Sequence, residues 1–166
     1  MNYFEKVKIL VPFDFSDLAA GAVETAIKIS GTSEFVTVLH VVDPTPIRDF
    51  TSFGYELGGG YELGGESEMV DADSDLYAVA ELDSQHEKHA LKMLQDRFKE
   101  SRFQGLTFET SVDDAPHGIT EYASSYNVGL IVLPSHGRTG MKRLLIGSVA
   151  ERVVRLARCP VLVLRS

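Results

Sequence analysis

Gly137, Gly140 and Gly147, the cations Arg138, Lys142 and Arg143, and the hydroxyl of Ser148 all fall within the stretch Pro134-Ser-His-Gly-Arg-Thr-Gly-Met-Lys-Arg-Leu-Leu-Ile-Gly-Ser148. Glycine lets a backbone come close to a ligand. The start of a helix offers unpaired N–H groups and a partial positive charge, and side-chain cations add countercharge. Together these are the parts of a phosphate cradle. Ser148-Val149-Ala150-Glu151 also has the spacing of a capping box, which predicts a helix capped by Ser148. Taken singly, each glycine also suits an ordinary turn; the combination is what points to an anion.

Other chemistries find weaker support. Asp14, Asp17, Ser135 and His136 are the residue types of a hydrolase, but there is no G-x-S-x-G elbow, and their spacing assembles no triad. A P-loop sequence is absent. Phe13-Asp14-Phe15-Ser16-Asp17 offers bulky side chains where a nucleotide-cleaving fold would place a Ser/Gly-rich amide nest. Binding without catalysis is expected. His86 and His89, with Asp83 and Glu87 nearby, read as a solvated helix face rather than a metal site. His40, inside an apolar strand, is expected to hydrogen-bond a neighbour. Cys159 is expected to be an inert buried thiol, and His117 to assist a helix start.

The chain has 166 residues, 44% hydrophobic and 24% charged, with a mean hydropathy of −0.01 and a net charge of −8. This is the size of one domain, and residues 1–166 are read as one. No apolar run reaches the roughly 18 residues of a membrane span. No basic, long-apolar leader precedes the first strand. A single cysteine excludes an internal disulfide. A cytoplasmic protein is expected, with no nucleic-acid or membrane partner, since the net charge opposes polyanions. The charge is uneven. Pro134–Ser166 holds seven basic residues against one acidic, whereas Asp43–Asp75 holds nine acidic against Arg48 alone. A cationic end on an anionic chain favours a small anionic ligand.

The elements that must position these residues follow from periodicity. Lys8–Phe13 is a buried strand ending near a proline. Ser16 caps a helix carrying Leu18, Ala22, Ala26 and Ile29, closed by Gly31. Phe35–Val42 is the second strand. Residues 43–74 form an acidic, glycine-rich loop insertion, flexible in expectation, with Gly54-Tyr-Glu-Leu-Gly-Gly59 repeated as Gly60–Gly65. A helix from Asp75 to about Arg102 carries Leu91, Leu94 and Phe98 on one face. Leu106–Val112 is the third strand. Pro116 opens a helix with Ile119, Tyr122, Ala123 and Tyr126 on its buried side and Asn127 as a left-handed cap. Leu130–Leu133 lacks polar alternation, as in strands covered on both faces. A helix over Ser148–Arg158 and a strand over Pro160–Leu164 finish the chain. Alternating strands and helices predict an α/β fold: a three-layer α/β/α arrangement around a five-stranded parallel sheet. Its ligand site should lie beyond the carboxyl ends of the strands.

The spacing Gly137-x9-Gly147-Ser148 resembles the G-x2-G-x9-G-[S/T] motif of ATP-binding universal stress proteins. Val11–Ser16, Leu39–Asp43, Gly147–Glu151 and Cys159–Val163 resemble other segments of that family. The resemblance implies a Rossmann-like sheet of order 3-2-1-4-5 and a regulatory stress-response protein that acts through nucleotide occupancy and dimerisation. It places Asp14 near ribose or adenine and Val41 against adenine through its backbone. Gly137, Gly147, Ser148 and Val149 would hold ribose and phosphates, with Pro12, Pro134, Arg138 and Gly140 in the same set. The implied ligand is ATP, with Mg²⁺ on its phosphates. The sequence departs from the motif at Pro134, where the first glycine belongs. The alternatives are a nucleotide-free interaction module, with the repeat loop as its contact surface, and a slow ATPase. The last strand, apolar and at a sheet edge, predicts a homodimer through Val161–Leu164.

Overall fold

The computed structural model describes residues 6–44, 72–136 and 146–165, with side chains of the helix at 72–97 described from residue 80. The repeat loop, Gly137, Arg138, Gly140, Lys142 and Arg143 lie outside the described residues. In chain order the elements are β1 (Ile9–Pro12), α1 (Asp17–Ser30), β2 (Val36–Val42), α2 (Ala72–Arg97), β3 (Thr107–Val112), α3 (Ala115–Ser125), β4 (Leu130–Pro134), α4 (Ser148–Leu156) and β5 (Val161–Leu164). The sheet is parallel throughout, in the order β3-β2-β1-β4-β5, as the alternation of elements and the family resemblance predicted.

Side chains alternate across a strand, so the central strands feed two cores. Ile9, Val11, Val36, Val38, Leu130 and Val132 meet α1 and α2 on one face. Leu10, Leu39, Ile131 and Leu133 meet α3 and α4 on the other. This double covering is why Leu130–Leu133 shows no polar alternation.

The helix signals act largely as read. Ser16 accepts the Ala19 N–H at 3.1 Å, and Gly31 closes α1 at φ 79°. Asn127 takes the left-handed position after α3, at φ 53°. Three expectations need correction. The buried stripe of α1 runs through Ala19, Ala22, Val23 and Ala26, which leaves Leu18 39% exposed. Tyr126 lies past the last turn of α3 and is 54% exposed, stacked on half-buried Tyr122 with ring centroids 4.2 Å apart. α2 begins at Ala72 and ends at Arg97, shifted toward the amino end relative to the periodicity.

Candidate functional site

β1 pairs with β4 only through Ile9↔Leu130 and Leu10↔Ile131, although both strands run further. The cause is two prolines. In a parallel sheet a residue turns its N–H and carbonyl to the same side, and the side alternates along the strand. Ile131 and Ser135 donate their N–H groups to Pro160 and Leu164 on the β5 side, so Pro134 turns its nitrogen to the β1 side. Gly129 donates to the Lys8 carbonyl, and Phe13 donates to Leu39 on β2, so Pro12 turns its nitrogen toward β4. Neither proline has the N–H that would carry the β1–β4 ladder further. The strands part at the point where strand order reverses, and a cleft of about 380 Å³ opens there.

The β1 turn forms one wall. Asp14 Oδ1 accepts both the Ser16 N–H, at 3.1 Å, and the Ser16 hydroxyl, at 2.6 Å. Ser16 in turn caps α1. Phe15, between them, adopts φ 65°, which costs a non-glycine residue roughly 1–2 kcal/mol. Its ring packs edge-on against Phe13 and His40, with centroids 5.3 and 4.8 Å away, and these contacts offset that cost.

β2 forms the next wall. His40 Nδ1 lies 2.7 Å from the Phe13 carbonyl; because a carbonyl only accepts, Nδ1 carries the proton. This is the bonded imidazole expected from the sequence. Leu39 accepts from Phe13, so its carbonyl faces β1. By alternation Val41 turns its N–H and carbonyl the same way, past the end of β1 and into the cleft. Its side chain is held under α3 at Gly118, where a Cβ would lie 3.1 Å from Val41 Cγ1. Asp113 N–H donates to the Val42 carbonyl at 3.1 Å, tying the start of α3 to the same strand end.

α4 closes the far side. Gly147 is its cap residue, with φ −76° and ψ 157° and no side-chain cap hydrogen bond. The capping box read from the sequence therefore does not form. Ser148 is already the first helical residue, and the Glu151 N–H bonds the Gly147 carbonyl rather than a serine hydroxyl. The Gly147 N–H donates to the Ser135 carbonyl at 2.6 Å, clipping the helix start onto the end of β4. Ser135 is buried, its hydroxyl 3.0 Å from His136 Nδ1. An ion pair joins α3 to α4, with Arg152 Nη1 and Nη2 at 3.3 and 3.1 Å from the two Asp114 oxygens.

Seven of the residues anticipated from the sequence line this one cleft: Pro12, Asp14, Val41, Pro134, Gly147, Ser148 and Val149. Gly137, Arg138 and Gly140 lie outside the described residues. His40, Asp43, Ala115 and His136 also line it without having been placed there from sequence. The signal that finds them is position: each stands at a strand's carboxyl end, just beyond it, or at the start of the following helix. No lysine or arginine is among the described residues that line the cleft. The groups there suited to an anion are the first-turn amides of α4 and the imidazoles.

The other candidates behave as surface or core. His86 and His89 are exposed on α2, and no group of three metal-ligating side chains occurs among the described residues. His117 Nδ1 sits 2.6 Å from Asp113 Oδ2 at the start of α3, and this hydrogen bond raises its pKa, helped by the charge of Asp113. Cys159 is half-buried against the α3–α4 core rather than buried as expected; its partial burial raises the pKa of the thiol, which favours the unreactive form. No described helix is long and apolar enough to cross a membrane.

Known proteins resemble this chain in sequence and fold. The family model described as the universal stress protein family matches residues 61–165. The universal stress protein MJ0531 of Methanocaldococcus jannaschii is 33% identical over 164 residues, covering 95% of this chain and 81% of that protein. The chain belongs to the universal stress protein family. Another relative in the family, YxiE of Bacillus subtilis, is 27% identical over 95% of this chain and 98% of its own. Among solved structures, UspA of Lactobacillus plantarum superposes with a TM-score of 0.65 at 27% identity, covering 97% of this chain and 99% of that one. A universal stress protein solved in complex with cAMP shares the fold at 19% identity and a TM-score of 0.53, over 95% of this chain and 94% of that one.

Proposed function

We propose that the cleft binds an adenine nucleotide, with ATP as the preferred ligand, and that occupancy rather than turnover is the protein's biochemical output. The observation that carries this reading is the convergence on one cleft of Val41's outward backbone groups and the uncapped first turn of α4. A base would meet the Val41 N–H and carbonyl on β2, and a phosphate the first-turn amides and the helix dipole of α4. The cAMP complex of a neighbour of the same fold and the glycine motif of the ATP-binding family members support the choice of ligand. Mg²⁺ would be carried on the phosphates and by water.

Nucleotide occupancy would act in a cytoplasmic homodimer. β5 is the edge strand, Leu162 is exposed, and Val161 and Val163 pack inward on the α3–α4 core. Its outer backbone edge, unpaired among the described residues, can add a strand from a second copy. Light scattering at micromolar concentration should give twice the chain mass; a monomer would remove the dimer.

A second reading is favoured by Pro134. Its ring stands at the cleft where nucleotide-binding relatives have glycine, so the chain would serve as a nucleotide-free interaction module. Mass spectrometry of the ligand retained through native purification, with calorimetry of added ATP, separates the readings. Retained ATP or saturable binding supports the first. No heat at millimolar ATP supports the second, and ADP accumulating from bound ATP supports a slow ATPase.

A further inference from the structure

We infer that Asp114 and Arg152 are the positioning pair of the cleft: their ion pair sets the span between the wall that meets the base and the wall that meets the phosphates. The inference rests on the nucleotide reading above. It adds the device that selects ligands long enough to reach both walls.

The two walls belong to different halves of the sheet. The base wall is the end of β2 with the start of α3. There the Asp113 N–H bonds the Val42 carbonyl at 3.1 Å, and a Cβ on Gly118 would lie 3.1 Å from Val41 Cγ1, so α3 and Val41 move together. The phosphate wall is the end of β4 with the start of α4, clipped together by the Gly147 N–H on the Ser135 carbonyl at 2.6 Å. Pairing between the two halves ends at Leu10↔Ile131. Beyond that point the ladder no longer fixes their separation. What joins them is the packing of α3 on α4: an apolar cluster that includes Ile119, Ala123, Ala150 and Val153, and the Asp114–Arg152 ion pair.

The pair departs from what its members do locally in most helices. Asp114 occupies the N-cap position of α3, where an aspartate ordinarily accepts a first-turn amide, yet it makes no side-chain cap hydrogen bond. Its two oxygens go instead to Arg152 Nη1 and Nη2, at 3.3 and 3.1 Å. A two-point contact between a planar guanidinium and a carboxylate fixes orientation as well as distance. On α4 the adjacent Glu151 is engaged by Arg155. A helix that forgoes its own cap for a partner 38 residues away breaks a local rule in favour of tertiary order, and such breaks concentrate at functional sites.

Neither residue is among those that line the cleft. Both act through the helices that do, since Ala115 and Ile119 of α3 and Ser148, Val149 and Ala150 of α4 are lining residues. The two side chains are 53% and 52% exposed, and an exposed pair contributes little to folding. Its leverage is on alignment. A ligand gripped at both ends needs the walls already at one spacing, and a ligand gripped at one end does not.

The test is a double-mutant cycle on the whole chain, with Asp114→Asn, Arg152→Gln and both together, read by calorimetry with ATP and with adenosine. Each single variant should weaken ATP binding about two- to fivefold, the size of an exposed pair, and the double variant no further than either. Adenosine, which lacks the phosphates, should bind all four proteins alike. Arg152→Lys keeps the charge without the two-point geometry and should fall between wild type and Arg152→Gln. Asp114→Asn separates a strut from simple charge. Removing a carboxylate near the phosphates strengthens ATP binding if only the field matters, and weakens it if the pair sets the span. The wild-type advantage should also shrink in about 1 M salt, where the screening length falls to about 3 Å. ATP affinity raised or unchanged in Asp114→Asn, single effects that add, or an equal loss for adenosine overturns this inference alone. Absence of any ATP binding by wild type overturns the nucleotide reading and the inference with it.

Discussion

Gly147→Val tests the ledge at the start of α4. At φ −76° and ψ 157° the backbone is open to any L-residue, so the effect is steric rather than conformational. The new Cβ would lie 3.2 Å from the Ser135 carbonyl oxygen and 3.6 Å from His136 Cα, and the Gly147 N–H already bonds that same oxygen at 2.6 Å. Two γ-methyl groups cannot be added there without moving the helix start off β4. Replacing glycine by valine at a cap costs about 1 kcal/mol, and crowding a packed site adds about 1–3 kcal/mol. A total of about 2–4 kcal/mol is below the 5–15 kcal/mol of a typical domain, so the sheet should remain folded. For a chain of this length that loss lowers Tm by about 5–15 °C, measurable by circular dichroism. Losing one or two hydrogen bonds to a charged phosphate, at about 1.5–3 kcal/mol each, weakens ATP binding at least tenfold by calorimetry. Gly147→Ala, which adds the Cβ alone, should fall between. An ATP affinity within twofold of wild type in Gly147→Val, alongside a lowered Tm, would refute the placement of the phosphates.

Pro134→Gly restores an N–H on the β1 side of β4 and removes a ring from the cleft. ATP affinity should rise several-fold while stability falls by about 1 kcal/mol, mostly through the freer unfolded chain, and an unchanged affinity would show that the ring does not obstruct the ligand. His117 is held above its ordinary pKa by Asp113, so its stabilising contribution is complete below about pH 6.5 and disappears as pH rises through the folded value. Chemical denaturation of wild type against His117→Gln should converge above that range, and parallel curves at every pH would contradict it. Tyr122 is pushed up to about 12 by burial, then by Glu109. Ultraviolet titration should therefore show a late ionisation near 12 that Tyr122→Phe removes, and stability should decline as pH climbs from about 10 toward 12, with Tyr122→Phe removing that part of the decline.

Much of this was legible in the residues alone. The apolar runs, Ser16, Gly31, Pro116 and Asn127 mark local chemistry, and local chemistry does not depend on the rest of the chain. Alternation of strands with helices then forces a parallel sheet, and the carboxyl-end rule points to the loops that line the cleft. The errors were equally local in origin. Ser148-x-x-Glu151 has capping-box spacing, yet the Ser135 carbonyl captures the Gly147 N–H and starts the helix one residue early, so Gly147 takes the cap position. Tyr126 fits the stripe of α3 by spacing, but the helix ends before it reaches the sheet.

Composition and order of residues determined which elements form and which loops face one another, because periodicity, caps and crossover handedness are properties of short segments. Only the packed sheet decided that Pro12 and Pro134 lie on opposite sides of one gap, that Val41 turns its backbone into it, and that His136 stands against α4. Those facts depend on register and on which side each N–H faces, and register is set by pairing between strands more than a hundred residues apart.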